Sequence, residues 1–118
     1  MKIKNLLSAV LFLFFASYFA QNTIEVMSFN IRLGSVDDGE NHWNIRKDKV
    51  KDLINYYEAD FVGLQEAQKP QINYLLENNS LYSFLGKPRD DGENSEFSCI
   101  FYLKNKYKVL EQNTFWLS

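Results

Sequence analysis

Apolar residues alternate and then crowd together from Ile24 to Leu33, with Met27, Phe29 and Ile31 on one side and Ile24 and Val26 on the other. That pattern predicts a strand buried on both faces of a sheet. Gly34 to Asn41 is rich in Gly, Asp, Ser and Asn and predicts a loop. From Trp43 the spacing lengthens to that of a helix. Trp43, Val50, Leu53, Ile54 and Tyr57 share one stripe, while Arg46, Lys47, Asp48, Lys49, Lys51 and Asp52 fall elsewhere, and Asn41 is placed to cap the start. Phe61-Val62-Gly63-Leu64 then predicts a second strand, and the strand, helix, strand order implies parallel pairing through the crossover.

Pro70 suits the first turn of a shorter helix running to about Asn78, with Ile72, Leu75 and Leu76 facing inward. Leu81 to Leu85 predicts another strand, and the polar, turn-rich segment Gly86 to Asn94 a solvent-facing loop. Phe97 to Leu103 and Tyr107 to Leu117, separated by Lys104-Asn105-Lys106, predict an antiparallel hairpin with Trp116 on its last strand. The expected class is therefore α/β, with all strands in one sheet and the helices on one face.

The N-terminus changes the picture of where the chain works. Lys2 and Lys4 precede an apolar stretch from Leu6 to Phe15, broken only by Ser8, and small residues follow at Ala16, Ser17 and Ala20. This predicts a signal peptide over 1–20, cut before Gln21, because the apolar run is too short for the roughly 20 residues of a membrane span. The remainder is expected to be secreted or periplasmic, without a transmembrane anchor after cleavage. Loss of Lys2 and Lys4 from the 13 Lys and Arg leaves 11 cations against 15 Asp and Glu, a net charge near −4. Such a balance argues against tight non-specific binding to nucleic acid. Cys99 stands alone in an apolar run, so the core must hold without an internal disulfide.

Two strand ends carry the candidate chemistry. Ser28-Phe29-Asn30-Ile31-Arg32 and Gly63-Leu64-Gln65-Glu66-Ala67 each set polar residues directly after an apolar run. On neighbouring parallel strands, an asparagine and a carboxylate there would make half of a divalent-metal site aimed at phosphate. Magnesium takes hard oxygen ligands, often one or two carboxylates with waters and substrate phosphate completing its shell, which suits Glu66. Asn30 cannot titrate and offers a carbonyl oxygen and an amide donor beside the ion. Gln65, the neighbour of Glu66 on a strand, should point to the opposite face and serve structural hydrogen bonding. Arg32 and Arg89 are candidates for holding substrate phosphate through their guanidinium forks, or for structural ion pairs. Asp90 and Asp91 read as loop-capping residues, and His42 as a residue at the start of the first helix.

Three stretches, Met27 to Arg32, Asp60 to Glu66, and Glu96 to Tyr102, resemble in their order and composition the endonuclease/exonuclease/phosphatase superfamily with its DNase I-like fold. The resemblance covers 21–118 as the N-terminal part of such a domain, half of a four-layered α/β sandwich. It implies a phosphoesterase in which Glu66 is the principal metal ligand and Asn30 lies beside the metal, with Mg2+ as the ion and Mn2+ or Ca2+ as substitutes. It implies that Glu96 orients a histidine at the scissile phosphate, contributed from beyond Ser118, where the later motifs of the family would also lie. The expected substrate is a phosphate ester, whether nucleic acid, phospholipid headgroup or small metabolite, and no stable protein partner is expected. On this reading the 118-residue chain is a fragment, inactive by itself. Competing readings are a degenerate, non-catalytic binding module of the same fold and an unrelated carbohydrate-active or adhesion domain, for which the chain has no aromatic platform.

Overall fold

The computed structural model describes residues 23–115; the expected signal segment 1–20 and Trp116 lie outside the described residues. Strand β1 (Val26–Asn30) leads through a loop and a short 3-10 turn (Gly39–Asn41) to helix α1 (Trp43–Tyr57). Strand β2 (Phe61–Gln68) runs directly into helix α2 (Lys69–Glu77), and β3 (Tyr82–Leu85) and β4 (Glu96–Leu103) follow. They form one sheet in the order β1-β2-β4-β3, with β1 and β2 parallel as the crossover predicts.

β4 pairs antiparallel with β2 on one side and β3 on the other, and the expected hairpin with Tyr107 onward does not form within the described residues. The reason is that β4's two edges are already taken. Tyr107 instead packs its ring 4.6 Å from that of Phe61, and the chain beyond it runs without regular structure to Phe115. The α1 cap also differs from expectation. His42, not Asn41, is the N-cap, its Nδ1 accepting from the Asn44 N–H at 3.2 Å.

One face of the sheet is core. Val62 and Leu64 of β2 and Phe97, Cys99, Phe101 and Leu103 of β4 are buried together with Trp43, Val50 and Ile54 of α1 and Ile72 and Leu75 of α2. Both helices therefore cover that same face, as the periodicity requires. Met27 and Phe29 pack against the same cluster, but Ile24 and Val26 are 62% and 72% exposed, so β1 is not buried on both faces. It is an edge strand among the described residues, and the sheet's second face is open. Leu53 and Tyr57, expected on the buried stripe of α1, are likewise exposed. Burial in this core pushes the Cys99 thiol up to about 12, so it stays protonated and inert.

At the far end of the sheet a buried carboxylate ties three segments together. Asp60 accepts from the Glu25 N–H and from Lys106 Nζ, both at 2.9 Å. The Glu25 hydrogen bond and then Lys106 hold its carboxyl below the ordinary carboxylate range. A carboxyl with a lowered folded pKa stabilises the fold above its unfolded pKa and loses that contribution as pH falls through the folded value. Asp60→Asn is accordingly expected to lower the urea midpoint at neutral pH, with the gap to the parent protein closing as pH drops below about 4. A gap constant across that window would mean that Asp60 acts through packing and not through its charge.

Candidate metal and phosphate site

The site is made by a break in strand alternation. Leu64 pairs with Cys99 and Ala67 with Phe97, so Gln65 and Glu66 together face the single residue Ser98. Two residues against one is a β-bulge, a device that re-aims side chains at a strand's functional end. Glu66 sits there at φ 56, a left-handed conformation that costs a non-glycine residue of order 1 kcal/mol or more. The bulge keeps Glu66 out of the core, where strict alternation would bury it. It also overturns the expectation that Gln65 and Glu66 face opposite ways. Gln65 Nε2 reaches Ser28 Oγ at 3.3 Å and Asn30 Nδ2 donates to Glu66 Oε1 at 2.8 Å, so both glutamyl-type side chains meet the same side of β1. Gln65 also donates to the Gly63 carbonyl at 3.0 Å, the structural hydrogen bonding expected of it.

Asn30 is oriented in turn. Its Oδ1 accepts from the Arg32 N–H at 2.9 Å, which fixes the amide so that its NH2 faces Glu66. Asn30 thus acts as a donor to the carboxylate, and its carbonyl oxygen, expected beside the ion, is already engaged by the backbone. Arg32 itself has φ 57 and lays its fork on Asp38, Nε to Oδ2 at 2.6 Å and Nη2 to Oδ1 at 3.0 Å. The hydrogen bond to Arg32 holds the Asp38 carboxyl below its usual range, and Asp38 raises Arg32. Of the two uses open to Arg32, the structure displays the ion pair. Arg32, Asp38, Asn41, Arg46 and Asn30 line one depression.

Arg89 and Glu96 line a second depression with Asp90, Gly92, Asn94 and Ser95. The pairing of Glu96 with Gln68 sets it at the same end of the sheet as Glu66, yet its side chain makes no hydrogen bond to Glu66 or Asn30. Asp90 Oδ1 accepts from the Gly92 N–H at 2.8 Å, a loop-capping role as anticipated.

Two residues that sequence reading passed over hold the loops around the site. Gln71, 1% exposed, accepts from the Gly34 and Gln68 N–H groups and donates to the Arg32 carbonyl at 2.9 Å. Gln68, 4% exposed, accepts from the Ser35 N–H and donates to Ser35 Oγ and to the Asn94 carbonyl. A Cβ at Gly34 would lie 2.9 Å from the Gln71 side chain, so a larger residue there must push that bonded side chain aside. The available signal was the Gln68-x-x-Gln71 spacing at the start of α2, which forms a capping box.

The parallel strands, the bulge and the Asn–Glu pair define a class: an α/β domain presenting one carboxylate and polar donors at a strand end. The family model of the endonuclease/exonuclease/phosphatase family matches residues 27–113, and the chain belongs to that family. A family member from Bacteroides vulgatus is 39% identical with a TM-score of 0.75, covering 81% of this chain and 37% of that one. A mannosyl-6-phosphatase from Bacteroides thetaiotaomicron is 29% identical, TM-score 0.70, covering 77% and 35%. ANGEL2, a 2',3'-cyclic phosphatase, is 25% identical, TM-score 0.61, covering 75% and 29%. The chain thus spans little more than a third of these structures or less. None of the curated proteins compared with it matches.

Proposed function

We propose that the chain supplies the N-terminal part of an exported, divalent-metal-dependent phosphoesterase, with Glu66 as the metal ligand. The observation that carries this reading is the Asn30 to Glu66 hydrogen bond at 2.8 Å, which holds a lone carboxylate at the strand end of a family whose structures include two phosphatases. The donor set fits magnesium: a single hard oxygen ligand leaves room for waters and a phosphate. No group of three or more His, Cys, Asp or Glu clusters among the described residues. When bound, the ion supplies positive charge opposite the phosphoryl oxygens.

The chain's own residues do the rest of the binding. Asn30 orients the carboxylate, Arg89 offers a guanidinium that enters no ion pair among the described residues, and Arg32 can exchange Asp38 for a phosphate oxygen. Glu96 stands at the same end, available to orient a group from further along the fold. The acidic balance favours a small phosphorylated metabolite or headgroup over duplex DNA.

The test is hydrolysis of a phosphomonoester, a cyclic phosphodiester and an oligonucleotide by the polypeptide extended to the full length of the matched domains. Chelation is expected to stop turnover and added Mg2+ to restore it. Turnover that persists under excess chelator would remove the metal from this reading.

A further inference from the structure

The side chain of Arg46 spends its hydrogen bonds in an unusual way. Nε donates to the Asn41 carbonyl at 2.8 Å, Nη2 to the Arg32 carbonyl at 3.0 Å, and Nη1 to the Ile31 carbonyl. All three partners are backbone oxygens, and two belong to the turn that leaves β1. Its guanidinium also lies 5.2 Å from the centre of the Trp43 ring, which fixes its orientation. A fork engaged in this way holds backbone in place.

The turn it grips is the one that aims the site. The Ile31 carbonyl that Arg46 holds belongs to the same planar peptide unit as the Arg32 N–H, and that N–H meets Asn30 Oδ1, which turns the Asn30 NH2 toward Glu66. The next peptide unit of the turn is held as well, since Arg32 sits at φ 57 and Arg46 and Gln71 both bond its carbonyl. We propose that Arg46 is a positioning residue for Glu66, acting through the Ile31–Arg32 peptide unit and the Asn30 amide. This rests on Glu66 being the metal ligand.

The experiment reads Mn2+ affinity, and the side-chain amide NMR signals of Asn30 without metal, in the full-length polypeptide. Arg46→Met and Arg46→Lys are expected to weaken Mn2+ binding about 10- to 100-fold, the range for residues that orient a ligand, because neither keeps the fork. Both should also move the Asn30 amide signals toward those of a solvent-exposed amide. Unchanged affinity in Arg46→Met would overturn the proposal, as would a loss of affinity with unmoved Asn30 signals, which would mark Arg46 as acting through stability alone. Glu66→Gln separates the two readings. If it leaves Mn2+ binding intact, the metal assignment fails, and unchanged Asn30 signals in Arg46→Met then reject the positioning role independently.

Discussion

Replacing Glu66 by Gln is expected to cut metal-dependent phosphoester hydrolysis on the order of 10³-fold in a polypeptide of full domain length, with the fold unchanged. Glutamine keeps the size of the side chain and can still accept from Asn30 Nδ2, so the 2.8 Å bond that orients position 66 has a counterpart in the variant. What it loses is the anionic oxygen that a hard cation requires. The bulge supplies a second comparison. Glu66 occupies φ 56, so Glu66→Gly relieves the conformation while removing the ligand. Activity should fall as far in Glu66→Gly as in Glu66→Gln, without any drop in melting temperature beyond that of the glutamine variant. The 118-residue chain by itself should show no turnover, because it spans 37% of the length of the Bacteroides vulgatus structure. Undiminished hydrolysis by Glu66→Gln would place the chemistry on other residues.

Phe101→Ala is expected to cost about 3–5 kcal/mol of stability, the range for emptying a buried aromatic site. Phe101 is 1% exposed on β4 and is bracketed by the rings of Tyr82 and Phe84, with centroids 6.2 Å and 6.4 Å away. It lies opposite Val62 on β2 and Phe84 on β3, so its ring joins both interfaces of β4. Strands on both sides limit how far the site can collapse around the lost ring. Ile100→Ala, one residue away on the open face and 46% exposed, serves as the control and should cost far less. Comparable shifts in the denaturation midpoints of the two variants would show that the open face is as well packed as the helix-covered one.

The order of elements was legible in the chain itself because local periodicity follows from backbone geometry alone. The change from alternation at Met27 to Ile31 to a helical stripe from Trp43 marked β1 and α1, and the Asn30 and Glu66 strand ends were visible as polar residues after apolar runs. Pairing is a different matter, since it depends on which edges compete for a strand. Phe97 to Leu103 read as half of a hairpin, whereas β2 and β3 take both of its edges. Whether a face is covered is equally non-local, so Val26, as apolar as Val62, is exposed at an edge while Val62 is buried in the centre. The site shows the division most clearly. Sequence supplied a carboxylate and an amide. Only the tertiary structure decided that a bulge opposite Ser98 turns Glu66 outward to meet Asn30, and that Arg46 and Gln71 grip the carbonyls of the turn after β1. Those are long-range hydrogen bonds between segments far apart in the chain, and no local pattern of residues encodes them.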